Sequence, residues 1–226
     1  MPKIGESNDS PLVLIGAGGF AKEVLASYGD IAAVTPSAAP VLGLVDDNRD
    51  LHGSIVCGYT VLGDIQWLVD YGIDRVRCVV AVGDPRTRAR IVKRLDAFGA
   101  EYQNLTHPSA VVWSTLSAAS DNVVQPYAWI TADAEIGSHV HVNGFVCLAH
   151  NVRVGDFTTF APYANVNGHC TIEEGAYVGS HAVLRQGVTV GAWATVGMCA
   201  CVLDDVPSGV TVAGVPARII PHSSPE

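Results

Sequence analysis

The sequence predicts an α/β plus β chain, a small Rossmann-like βαβ domain followed by a parallel β-helix of hexapeptide repeats. Three observations carry that expectation. An apolar run, Leu12-Val13-Leu14-Ile15, opens directly into Gly16-Ala17-Gly18-Gly19. From Val112 onward an apolar residue recurs at every sixth position without insertion. The 226 residues hold 23 Gly with only 7% aromatic and 15% charged side chains, a composition suited to many tight turns of small residues.

Composition also excludes classes of function. An apolar content of 49% is enough for a buried core. The formal charge of −9 removes the general attraction to phosphate backbones and anionic lipid, so nucleic acid is not an expected partner. The opening MPKIGESNDS has no apolar signal core, and no window approaches the roughly 18 uninterrupted apolar residues of a membrane span. A cytoplasmic protein without membrane partners is expected. Cys57, Cys78, Cys147, Cys170, Cys199 and Cys201 form no CxxC pair and read as thiols rather than disulfides.

In the first half, Leu12 to Ile15, the glycine turn and the helical stretch from Lys22 form a strand, turn and helix. Backbone N–H groups at such a turn can hold phosphate oxygens, although the same glycines also serve close strand–helix packing alone. A second run, Val41 to Val45, ends at Asp46-Asp47, and a third, Cys78 to Val82, ends at Gly83-Asp84-Pro85. These acidic residues fall beyond strand carboxyl ends, where a parallel sheet binds ligands. Thr87 to Phe98 has helical spacing. A dinucleotide fingerprint wants an acidic residue about 20 positions after the glycines. Asp46 comes 28 after Gly18, and too few residues precede the repeat for two mononucleotide halves, so a mononucleotide carried on a sugar fits better than NAD. Thr106-His107-Pro108-Ser109 is the expected joint, with Pro108 breaking the sheet where the coils begin.

The second half is the repeat. Sixteen anchors run from Val112 through Ala118, Val124 and onward to Val202, and the position four further on is small or β-branched in nearly every later unit. Such a period suits a solenoid whose flat faces each use one hexapeptide, with anchors pointing inward and Gly or Asn taking the turns. Three hexapeptides close one triangular coil, so residues eighteen apart lie on the same face at a spacing of about 4.8 Å. That rule places Gly168 one coil from His150. A proton acceptor beside a glycine whose N–H can be approached closely is an acyl-transfer arrangement. His139, His141, His169 and His181 do not share the spacing of a metal site, and none is expected.

Units such as Val178-Gly179-Ser180-His181-Ala182-Val183, together with Gly16-Ala17-Gly18-Gly19, Leu44-Val45-Asp46-Asp47, Leu148-Ala149-His150-Asn151, Asn167-Gly168 and Gly214-Val215-Pro216-Ala217-Arg218, carry a resemblance over residues 11 to 220. The chain resembles the bacterial sugar acetyltransferases that join a nucleotide-binding α/β domain to a left-handed β-helix. That group includes N-acetyltransferases of nucleotide-linked amino sugars, such as the bacillosamine-pathway enzyme, and sialic acid O-acetyltransferases. Left-handed coiling is implied by the resemblance and not by the period. It also implies a homotrimer with acetyl-CoA between neighbouring β-helices and a UDP-, dTDP- or GDP-linked amino sugar as acceptor. Residues 1–10 and 221–226 would flank a nucleotide-sugar domain at 11–105 and an acyltransferase β-helix at 106–220.

By the same resemblance His150 is the catalytic base, with Asn151 beside it, and Gly168 is the oxyanion donor. Gly168, Gly214, Pro216, Ala217 and Arg218 would contact coenzyme A. Gly16, Gly18, Gly19, Phe20, Asp46, Asp47, Gly83, Asp84 and Asn143 would contact the nucleotide sugar. Two positions depart from the family pattern: Phe20 stands where many relatives have His, and Asn151 where Glu or Asp is common. A neutral amide orients an imidazole but does not stabilise its cation as a carboxylate does. Asn151 therefore tilts the reading toward N-acylation, since a neutral amine needs less help than a hydroxyl. O-acylation of a sialic-acid type sugar and a non-catalytic nucleotide-sugar-binding trimer remain the alternatives.

Overall fold

The computed structural model describes residues 10–113 and 119–220. The expected flanking segments up to residue 9 and from 221, and the anchor Ala118, lie outside the described residues. The chain divides into two compact units, one holding the residues up to Val82 with Arg90–Asn104, the other Gly83–Ala89 with everything described from Leu105 on. The division falls inside a helix.

In the first unit β1 (Leu12–Ile15) leads into α1 (Gly19–Val34), β2 (Val41–Val45), β3 (Ile55–Val56), β4 (Tyr59–Gly63), α2 (Ile65–Tyr71) and β5 (Arg77–Val80). After α3 (Pro85–Asp96), whose first turn belongs to the second unit, β6 (Glu101–Tyr102) completes the sheet. The strand order is β3-β4-β2-β1-β5-β6. All four residues of β1 are buried, as a central parallel strand covered on both faces requires. Helix α1 buries Ala21, Val24, Leu25 and Tyr28, the i, i+3, i+4, i+7 stripe of an amphipathic helix. The chain winds outward from β1 to β4 and then crosses to β5, so the strand order reverses between β1 and β5. The hairpin β3–β4 and helix α2 had no counterpart in the sequence reading. Their local signals are the Cys57-Gly58 turn, with φ of 48° and 87°, and Asp64, which accepts the Trp67 N–H at 3.0 Å.

The second unit is a left-handed β-helix of two-residue rungs in three parallel sheets. Register advances by eighteen residues on every face: Trp129 opposite Cys147, Glu135 opposite Arg153, His141 opposite Thr159. The first rung forms at Leu105–Thr106, already paired with Val123–Val124 ahead of Pro108. The period ends after Val202, because Thr195 pairs with Thr211 and the last coil is two residues short. Anchors from Ile130 to Val202 other than Ile136 are buried, as are the inward positions Val140 to Ala200.

The corners differ from the Gly or Asn expected there. Left-handed backbone recurs at every sixth residue from Asp121 to Cys199, yet Gly175 and Gly187 are the only glycines among those positions, and Asn151 the only asparagine. Tyr127, Phe145, Tyr163 and His181 occupy one corner with stacked rings at 5.0, 4.8 and 4.7 Å. Left-handed backbone costs a non-glycine residue about 1–2 kcal/mol, and each stacked pair returns about 0.5–1.5 kcal/mol. The coil advance equals a ring-stacking distance, so the aromatic column offsets the strain of its own turns. Glycines after the anchors serve a different need. A Cβ on Gly155 would lie 2.5 Å from the Glu174 amide nitrogen, so glycine there permits neighbouring coils to approach.

Candidate active site

In the β-helix, one corner brings His150, Asn151, Gly168 and His169 together. A Cβ on Gly168 would sit 2.5 Å from His150 Cε1 and 2.7 Å from Nε2, so the imidazole lies against the bare glycine. His150 Nδ1 is 3.0 Å from Asn151 Oδ1. An amide oxygen only accepts, so Nδ1 carries a proton, and in the neutral imidazole that leaves the lone pair on Nε2. The Gly168 carbonyl accepts the Gly187 N–H at 3.0 Å, whereas the Gly168 N–H donates to no acceptor among the described residues. A base and an unused peptide donor thus share one corner. The His169 ring stands edge-on to His150 at 5.0 Å between centroids.

Asn143 is not part of that corner within one chain. It sits at the aromatic corner, at the other end of the short face that carries the rung Cys147–Leu148. Its Nδ2 donates to the Phe160 carbonyl at 2.7 Å, and its buried Oδ1 has no partner among the described residues. Gly214 to Ala217 form the turn between the antiparallel strands Thr211–Ala213 and Arg218–Ile220. Gly214 has φ of 96°, the Ala217 N–H donates to Cys201 at 2.8 Å, and Arg218 is exposed.

In the α/β unit, the glycines of the first turn have different reasons to be there. Gly16 has φ of 103° and a Cβ would lie 2.9 Å from Val82, so folding itself demands it. Gly18 and Gly19 have no positive φ, and a Cβ on either would meet nothing within 4 Å. They open α1, whose first turn has no side-chain cap and no acidic residue. Exposed N–H groups at an uncapped helix start favour an anion. Phe20, the next residue, is half-buried. Asp46 ties this turn to β2, accepting the Ala17 and Asn48 N–H groups at 2.8 Å each. Asp47 pairs with Arg94, which raises the guanidinium above its ordinary range. In the other unit, Asp84 Oδ1 accepts the Thr87 N–H at 2.7 Å at the start of α3, and a Cβ on the neighbouring Gly83 would meet open space.

Residues 11–95 match the PglD N-terminal domain family. PerB from Caulobacter crescentus, solved with CoA and GDP-perosamine, is 31% identical with a TM-score of 0.81, over 97% of this chain and 99% of that one. The chain belongs to the PglD-like family of sugar N-acetyltransferases. The acetyltransferase domain of PglB from Neisseria gonorrhoeae, solved with acetyl coenzyme A, is 29% identical with a TM-score of 0.82, over 94% of this chain and 100% of that one. GDP-perosamine N-acetyltransferase from Escherichia coli is 33% identical over 138 residues, and the match spans 61% of that relative's length. Among the described residues, no helix of this PglD-like chain is long and apolar enough to cross a membrane.

Buried polar residues also lie in the second unit, and of these Arg88 and Asp121 carried no expectation from the sequence. Arg88 is fully buried, and burial pulls its guanidinium down to about 10 against the opposing pull of Asp121 and Asp84, so it is charged at neutral pH. Buried Asp121 accepts from His139 Nδ1 at 2.9 Å, and His139 stacks on Phe157. The eighteen-residue rule relates Asp121, His139 and Phe157 and was able to find that column. Nothing local marks Arg88 among the arginines of α3.

Proposed function

We propose that this chain is an acetyl-CoA-dependent N-acetyltransferase of a nucleotide-linked amino sugar, with His150 as general base and the Gly168 N–H as oxyanion donor. The carrying observation is the His150 imidazole against Gly168, with Nδ1 on the Asn151 amide oxygen and the glycine N–H donating to no acceptor among the described residues. Acetyl-CoA supplies the acyl group as a thioester. The neutral sugar amine bonds to the thioester carbon while the Gly168 N–H stabilises the oxyanion that gains the carbonyl π pair. His150 Nε2 takes the proton that the nitrogen sheds. The carbon–sulfur bond then breaks with its electron pair on sulfur, and the proton passes to the departing CoA thiol. Such a base typically contributes about 10² to 10⁴ in rate and one oxyanion donor about 10² to 10³.

Acceptor binding falls to the α/β unit, where Gly18, Gly19 and the N-terminus of α1 receive the diphosphate beside Asp46 and Asp47; Gly83 and Asp84 of the second unit are further proposed contacts of the nucleotide sugar. Gly214, Pro216, Ala217 and Arg218 would hold coenzyme A. The working form is a homotrimer. The face between the His150 corner and the aromatic corner exposes Val111, Trp129 and Val183 with half-buried Cys147 and Cys201, a mostly apolar strip interrupted by exposed Asn165 and suited to a second copy. A second copy would also carry an Asn143 corner toward the first copy's His150, which one chain does not do.

Acetyl-CoA consumption with UDP-, dTDP- and GDP-linked amino sugars, followed by mass analysis, tests the reading. GDP-perosamine is the first acceptor to try, since PerB was solved with it and the Escherichia coli relative is named for it. Acetylation of hydroxy sugars alone would move the assignment to O-transfer, and binding without turnover would leave a nucleotide-sugar-binding protein.

A further inference from the structure

We propose that Arg88 and Thr159 are positioning residues for the nucleotide sugar, fixing the Gly83–Asp84 peptide that the acceptor meets. This rests on the acceptor reading above. Arg88 is the largest fully buried side chain among the described residues, and every guanidinium nitrogen has a partner. Nε donates to the His139 carbonyl at 2.9 Å. Nη2 donates to the carbonyls of Phe157 at 2.6 Å and Thr158 at 3.2 Å and to Thr159 Oγ1 at 2.9 Å. Nη1 faces His141 Nδ1 at 3.2 Å and donates to the Gly83 carbonyl at 3.2 Å.

The bonds converge on one atom. Thr159 Oγ1 also donates to the Gly83 carbonyl, at 3.0 Å, so that oxygen receives two donors and both its lone pairs are used. A peptide group is planar, so an oxygen held by two donors also holds the Asp84 N–H on the opposite side of the same plane. A Cβ on Gly83 would meet nothing within 4 Å, so the peptide borders open space. Stability alone does not require this arrangement, because well-packed apolar residues commonly replace buried charges without loss. A guanidinium and a hydroxyl aimed at one carbonyl instead give a loop a single orientation.

Thr159→Val removes the hydroxyl at nearly constant volume while Arg88 keeps its carbonyl acceptors, and Thr159→Ser retains the hydroxyl. In the full chain, Thr159→Val is expected to raise the acceptor KM about three- to tenfold, the effect of one hydrogen bond. KM for acetyl-CoA, kcat and the melting temperature should stay near wild type, and Thr159→Ser should behave as wild type throughout. Calorimetry with GDP, UDP and dTDP should show the same loss for Thr159→Val without any turnover. Equal changes in both KM values, unchanged nucleotide affinity in Thr159→Val, or a wild type that binds none of the three nucleotides overturns the inference. A wild type that binds nucleotide but transfers no acetyl group, with the Thr159→Val loss still present, defeats the acetyltransferase reading and leaves this one standing.

Discussion

A methyl group at position 168 is the smallest change that reaches the proposed chemistry. Gly168 has an ordinary φ, so Gly168→Ala should fold, but its Cβ would overlap three ring atoms of His150 and push the imidazole off the peptide. The expected loss in kcat is about 10²-fold, the scale of one oxyanion donor, with circular dichroism and melting temperature near wild type. His150→Ala should lose about 10² to 10⁴ in kcat while acetyl-CoA binding, read by calorimetry, persists. Near-normal turnover in that variant would remove His150 from the mechanism. Asn151→Asp keeps the acceptor for Nδ1–H and adds a charge that stabilises the imidazolium, so kcat should rise. This corner was legible in the sequence because the coil advance is constant. One number, eighteen, converts the positions of His150 and Gly168 into contact.

Among the elements, glycines that look alike in sequence separate into opposite outcomes. Gly155→Ala would force a Cβ into the backbone of the next coil and should cost about 1–3 kcal/mol in denaturant unfolding. Gly19→Ala meets open space inside a helix and should gain up to about 1 kcal/mol of stability, yet weaken nucleotide binding in titration calorimetry. A Gly19→Ala variant that binds nucleotide normally would show that α1 does not receive the phosphate. Helix α2 carries a pH signature. The Trp67 N–H holds the Asp64 carboxyl below its ordinary value, so the cap supports the helix at neutral pH and is lost as acid protonates it. Asp64→Asn should abolish that acid dependence in the unfolding midpoint. The strands β1 and β2 were legible as continuous apolar runs ended by acidic or glycine residues. The β3–β4 hairpin and α2 were not, because their apolar segments are short and their turn chemistry resides in two residues each.

For the whole molecule, the proposed homotrimer is tested at the face through Trp129 and Val183. Val183→Asp places a charge on that face without touching His150 or Gly168, and sedimentation should show a trimer giving way to smaller species with activity lost in parallel. A wild type that sediments at the mass of one chain would refute the shared site. Asn143 shows why the sequence alone does not reach this level. The family resemblance places it with the acceptor site, but six residues carry the chain to the next corner of the prism, so Asn143 and His150 stand at different corners within one copy.

By itself the sequence determined whatever depends on a repeating interval: the rungs, their register, the inward anchors, and the imidazole beside a glycine. The fold decided the rest. Stacking along the coil axis made large rings acceptable in left-handed turns, and the placement of α3 buried Arg88 among carbonyls of distant coils. The physical reason is that a period fixes each residue's neighbours within the repeat. A side chain arriving from outside it finds partners only once both segments are folded.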